Sequence, residues 1–137
     1  MYQYEFIEDL EKTIKNEICD AAYYEKLAEQ APNAQTRQTI LNIAKDEKRH
    51  EQLFSKVYMT LTGTKPSKPA RVDPQVPNYR TALRERIIAE IDAYEHYKDY
   101  YLQSNRLFYR DIFFDIMHDE AEHAMRLQLL LTESKAE

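Results

Sequence analysis

Residues 46–50 read "DEKRH" and residues 119–123 read "DEAEH". Each string holds Asp, then Glu, then a His three residues after that Glu. The chain has only four histidines, and two of them stand in the same acidic frame. Charge runs on helices are ordinarily solvated faces, and that is the plain alternative. On a helix, however, residues three apart share a face. Glu47 with His50, and Glu120 with His123, can each grip one ion between them.

The flanking sequence places both strings on helices. Apolar residues recur at helical spacing through Phe6, Leu10, Ile14, Ile18, Ala21 and Leu27, and the turn "APN" with Pro32 and Asn33 ends that run. A second helical pattern carries Ile40, Ile43, Ala44, Phe54, Val57 and Leu61. Residues 63–77, "GTKPSKPARVDPQVP", hold the only Gly and four of the five Pro, which predicts an irregular segment. A third helix starts near Tyr79 and runs through Leu83, Ile87, Ile91 and Tyr94. It breaks at "QSNR", and a fourth carries Phe113, Phe114, Ile116, Leu127 and Leu130.

The spacing predicts one all-α domain over 1–137, built as hairpin 1 (3–62), a crossover (63–77) and hairpin 2 (78–134). Fifteen crossover residues reach about 50 Å when extended. That exceeds the roughly 38 Å of a 25-residue helix. Helix 3 can therefore start where helix 2 started, giving an up-down-down-up four-helix bundle.

The two halves repeat. A shift of 73 carries Leu10, Ile14, Ile18 and Ile43 onto Leu83, Ile87, Ile91 and Ile116, matching core positions to core positions. It also carries Asp46, Glu47 and His50 onto Asp119, Glu120 and His123, Glu17 onto Glu90, and Tyr24 onto Tyr97. Glu17 lies 30 residues before Glu47, and Glu90 lies 30 before Glu120. Both midpoints, Pro32 and Asn105, fall in predicted turns. In an antiparallel hairpin such pairs sit at one height, so four glutamates and two histidines meet at one level. All four glutamates also occupy the apolar stripe and point inward.

Four buried carboxylates repel one another, and desolvation costs several kcal/mol for each. Two divalent cations cancel the charge, and two imidazoles complete an O/N ligand set. The predicted metal ligands are therefore Glu17, Glu47, His50, Glu90, Glu120 and His123. Oxygen-rich sites with one His per ion suit iron or manganese. Asp46 and Asp119 are placed to hold the outer nitrogen of a His on a facing helix. Tyr24 and Tyr97 are placed to donate to a ligand or relay an electron, or else to serve as core with a satisfied hydroxyl. His96 and His118 lack the pattern and read as surface or packing residues. Cys19 reads as a small buried residue, and Glu51, Glu95 and Glu122 as solvated charge.

Bulk properties narrow the function. A net charge of −5, with no basic face to neutralise phosphates, disfavours nucleic-acid binding. One cysteine excludes an internal disulfide framework and a Cys-rich metal site. The acidic start is no signal peptide, and no run approaches the roughly 20 apolar residues of a membrane span. These features predict a cytoplasmic protein. Eleven tyrosines exceed what the site can use and suggest a homodimer interface.

Glu17, Glu90 and the two strings with Glu47, His50, Glu120 and His123 resemble the ferritin-like di-iron carboxylate pattern. "NEICDAAYYEKLAEQAPN" and the compact length are most similar to the rubrerythrin branch in its short, single-domain form. That resemblance implies two iron ions, with manganese the alternative, and no catalytic side chain outside the ligands. It implies an oxidoreductase of peroxidase or ferroxidase type acting on O2 or H2O2. With Cys19 the only cysteine, it also implies an external electron donor. Ala93 stands where rubrerythrins tend to carry a further glutamate. A non-catalytic iron-sequestering protein and a metal-stabilised structural bundle are the alternatives.

Overall fold

The structure is a computed structural model that describes residues 3–135. Four helices run in chain order: α1 (Gln3–Leu27), α2 (Ala34–Thr62), α3 (Tyr79–Gln103) and α4 (Leu107–Glu133). A single 3-10 turn, Ala28–Gln30, follows α1, and the described residues contain no strand.

Local chemistry sets the ends. The Asn33 side chain accepts the Thr36 N–H at 2.8 Å, and the Asn78 side chain accepts the Thr81 N–H at 3.1 Å. Each thereby satisfies one backbone donor that a helix start leaves free. Gly63 closes α2 at φ 77° and donates its N–H to the Met59 carbonyl. A left-handed cap of this kind favours glycine, and the chain spends its only glycine there.

Helices α1 and α2 form one antiparallel hairpin, and α3 and α4 form the other. Between hairpins, Tyr24 meets Glu90 while Tyr97 meets Glu17, so α1 and α3 run antiparallel. Asp46 meets His123 while His50 meets Asp119, so α2 and α4 do too. Helices α2 and α3 are therefore parallel, the up-down-down-up order that the long crossover demands. The crossover lies along the outer groove of the first hairpin. Lys68 pairs with Glu51 there, and Lys26 donates to the Pro74 carbonyl at 3.0 Å.

The interior has three layers. One apolar cluster holds Tyr24, Leu27, Ile40, Ile43, Leu83 and Leu127; the other holds Leu10, Ile14, Phe54, Tyr97, Phe113 and Ile116. Between them lies a polar layer. The 73-residue shift exchanges the two clusters, taking Leu10 to Leu83, Ile43 to Ile116 and Phe54 to Leu127. The internal repeat is thus a pseudo-twofold whose axis crosses the bundle at the polar layer.

Several single-residue expectations need correction. Cys19 is exposed, not buried: two residues past Glu17 puts it about 200° round the helix from that inward side chain. Glu51 is buried rather than solvated, because the crossover covers it and Lys68 pairs with it. Ile91 and Phe114 are about half exposed, each turned about 100° from an inward neighbour, Glu90 and Phe113. Ile18 and Ile87 are only partly buried.

Candidate metal centre

Glu17 and Glu90 come from the middles of α1 and α3; Glu47 with His50, and Glu120 with His123, come from α2 and α4. All six are at most 2 % exposed, and together they form the polar layer. Every helix contributes because each carries its glutamate in the apolar stripe at the level set by its turn. The residues divide into two overlapping groups. Glu17, Glu47, His50 and Glu120 offer ligand atoms that all lie within 4.8 Å of one another. So do Glu47, Glu90, Glu120 and His123. The shift of 73 turns one group into the other, and Glu47 and Glu120 belong to both.

The outer atoms of these side chains are tied down. His50 Nε2 lies 2.8 Å from Asp119 Oδ2, and His123 Nε2 lies 2.8 Å from Asp46 Oδ2. An N–H on each Nε2, donated to its aspartate, fixes the ring and leaves Nδ1 facing inward. The Tyr24 hydroxyl donates to Glu90 Oε1 at 2.5 Å, and the Tyr97 hydroxyl to Glu17 Oε1 at 2.6 Å. Each of those glutamates is left with Oε2 free.

The inner atoms have no hydrogen-bond partner. Glu17 Oε2, Glu90 Oε2, both oxygens of Glu47 and of Glu120, and Nδ1 of both histidines are buried and unsatisfied. His50 Nδ1 lies 3.1 Å from Glu120 Oε1, and His123 Nδ1 lies 3.2 Å from Glu47 Oε1, close but not aligned as hydrogen bonds. Buried polar atoms in folded proteins are nearly always partnered. Eight orphans converging on one level are the expected arrangement for cations. Six carboxylate oxygens and two imidazole nitrogens fit two divalent ions, with Glu47 and Glu120 shared between them.

Electrostatics without ions shows the same demand. Burial, then the charges of Glu120 and Glu90, pushes the Glu47 carboxyl up to about 7. Burial, then Glu90 and Glu17, pushes Glu120 up to about 7 as well. Burial and then Glu47 raise Glu17 well above the usual carboxylate range. Burial would lower both histidines, but Asp119 and the glutamates raise His50, and Asp46 and the glutamates raise His123. In a metal-free layer protons would take the part that cations play in a filled one.

Arg86 is the residue that sequence reasoning missed. It donates to the Tyr24 hydroxyl at 3.1 Å, sits 3.1 Å from Asp20 and 3.6 Å from Glu90, and lies over the Tyr23 and Tyr24 rings. The shift of 73 relates it to Thr13, and Asp20 to Ala93, so it breaks the symmetry of the layer. Burial would raise Glu90, yet the His123 ring, whose Nδ1 lies 3.5 Å from Glu90 Oε2, and then Arg86 hold it below its usual value. The one available signal was its position four residues before Glu90. Arg49 was missed too; it pairs with Asp115 and Asp119 and so braces the His50 acceptor. A third acidic group, His118, Asp119 and Glu122, lies nearer the surface, but Asp119 is engaged by His50 and Arg49, and Glu122 by Arg126.

Comparisons with known proteins bear on the fold and the family. The chain is 29 % identical over 119 residues to "Uncharacterized protein YhjR" of Bacillus subtilis (strain 168), covering 87 % of this chain and 81 % of that protein. A hypothetical protein from Pyrococcus furiosus has the same fold, with a TM-score of 0.78 at 23 % identity, over 93 % of this chain and 90 % of that one. The Rubrerythrin family model matches residues 8–131. With that match spanning nearly the whole chain, the protein belongs to the rubrerythrin family.

Proposed function

We propose that the chain is a di-iron carboxylate oxidoreductase, in which oxidation of two Fe(II) ions reduces H2O2 or O2 and an external donor returns the electrons. What carries this reading is the set of eight buried, unpartnered ligand atoms in two overlapping groups. Rubrerythrin-family proteins typically bind iron, and the donor set suits iron or manganese. When bound, an iron pair supplies the two electrons that convert H2O2 and two protons to two waters.

The protein's part is placement. Glu17 with His50, and Glu90 with His123, would each hold one ion, and Glu47 and Glu120 would lie between the two. Asp46 and Asp119 keep each imidazole in the tautomer that presents Nδ1 inward. Tyr24 and Tyr97 hold the outer oxygens of Glu90 and Glu17, leaving Oε2 of each without a partner and available to an ion. The apolar clusters above and below exclude bulk water from both ends.

The test is steady-state consumption of H2O2, and separately of O2, by protein loaded anaerobically with Fe(II) and supplied with a small-molecule reductant. Many turnovers per iron pair support the oxidoreductase. Binding of two irons followed by a single oxidation and no turnover points to sequestration instead.

A further inference from the structure

Glu17 and Glu90 lie beneath the seam between α1 and α3. Thr13, Glu17 and Asp20 share one stripe of α1, and Arg86, Glu90, Ala93 and Tyr97 share one stripe of α3. Across the two hairpins, α2 and α4 approach one another more closely than α1 and α3 do. The wider seam holds a cavity of about 320 Å³ walled by Thr13, Asp20, Arg86, Ala93 and Tyr97, with the exposed Asp92 at its rim.

The pseudo-twofold relates the two ends of this cavity, yet they differ. At one end Arg86 pairs with Asp20 and donates to the Tyr24 hydroxyl, so Tyr24 is fully buried and takes no part in the wall. At the other end the same two positions are Thr13 and Ala93. Their short side chains leave Tyr97 itself in the wall, with its hydroxyl 2.6 Å from Glu17 Oε1. One hydrogen bond separates the cavity from a ligand at this end, whereas a paired guanidinium stands between them at the other. The remaining approaches are closed. Apolar clusters fill the bundle above and below the layer, and Arg49, Asp46 and Asp119 lie over the histidines between α2 and α4. A further cavity outside α3 and α4 lies over two helices packed tightly together.

We infer that the α1–α3 cavity is the port by which small uncharged oxidants, of the size and polarity of H2O2, reach the layer. It opens on the site of Glu17 and His50, while Arg86 shuts the site of Glu90 and His123. This inference rests on the di-iron reading above. Size fits such a molecule, because a polar cavity that holds water admits one little larger than water. Charge selects it. Arg86 is taken up by Asp20 and Glu90, and His96 by Asp9, which leaves Asp92 to set the sign of the rim. An anion is repelled there and an uncharged molecule is not. Ala93 is the residue that keeps the port open.

The test loads the full chain anaerobically with Fe(II) and follows uptake of nitric oxide, a small uncharged probe, by stopped-flow absorbance. Wild type should take up nitric oxide in two phases, the first at least about 10-fold faster than the second. Ala93→Phe should slow the first phase at least about 10-fold with iron per chain unchanged, and Arg86→Ala should speed the second phase toward the first. Ala93→Leu, a smaller plug, should slow the first phase in the same direction and guards against a folding defect. Ala121→Phe fills the cavity outside α3 and α4 and should alter neither phase. Asp92→Asn should speed uptake of azide, an anion, and leave nitric oxide uptake unchanged. Uptake by both Ala93 variants as fast as by wild type overturns the proposal, as does slowing by Ala121→Phe alone. Iron per chain, counted in the same samples, separates two failures. Fewer than two irons in wild type brings down the di-iron reading and the port with it, whereas two irons with uptake indifferent to Ala93 brings down the port alone.

Discussion

Glu47→Gln tests the polar layer without changing its shape. In the metal-free protein the Glu47 carboxyl is raised to about 7 from an ordinary 4.5, burial and the neighbouring carboxylates outweighing the histidines. Raising a carboxyl from 4.5 to about 7 corresponds to about 3 kcal/mol. The sign follows from the direction. Because the folded value is raised, this stability is fully present below about pH 4.5 and is lost as pH rises through about 7. Gln cannot ionise, so the variant escapes the loss. Metal-free Glu47→Gln should therefore match wild type at pH 4.5 and exceed it at pH 8 by up to about 3 kcal/mol. For a chain of this length that is about 10 °C in melting temperature. With Fe(II) present the order reverses, because the variant loses an oxygen shared by both ligand groups and with it the mass-action stabilisation by at least one ion. The assay is thermal unfolding followed by circular dichroism, at both pH values, with chelator and with anaerobic Fe(II). A metal-free variant less stable than wild type at pH 8 would refute the reasoning, as would an unchanged rise in melting temperature on adding Fe(II).

Three further outcomes are expected. Asp119→Asn weakens the acceptor that orients His50 and should lower metal affinity about 10- to 100-fold in an equilibrium competition titration, with little loss of helicity. Arg86→Gln strips Asp20 and the Tyr24 hydroxyl of their cation and should cost the metal-free protein about 3 kcal/mol in denaturant unfolding. The same change removes the asymmetry beside Glu90, so two stepwise metal affinities should move closer together. Gly63→Ala forces a side chain into the left-handed cap and should cost about 1 kcal/mol in the same unfolding assay, leaving metal affinity untouched.

The polar layer was legible in the sequence because its residues obey two independent spacings. The three-residue step from Glu47 to His50 is set by the helix, and the 30-residue step from Glu17 to Glu47 by the hairpin; both recur after 73 residues. No single spacing would have separated a site from a solvated face. The pairing of Asp46 with His123 and of Asp119 with His50 followed from one residue of offset on antiparallel helices. Arg86 escaped because its partners, Asp20 and the two tyrosine rings, belong to another helix and share no spacing with it. Glu51 was misplaced for a different reason: its burial depends on which flank the crossover covers, and proline-rich composition announces an irregular segment without giving its path. Cys19 was misplaced on residue type alone, since its position two residues past Glu17 turns it outward. Ile91 and Phe114 mark the limit of apolar periodicity, which does not distinguish a side chain facing the core from one facing outward.

The central claim is that the buried layer is a two-ion site, and a metal count tests it most directly. Chain loaded anaerobically with Fe(II), freed of loose metal on a desalting column and analysed by plasma mass spectrometry should carry two irons. Glu120→Ala should carry at most one. Wild type retaining one iron or none, or Glu120→Ala retaining two, would contradict the account.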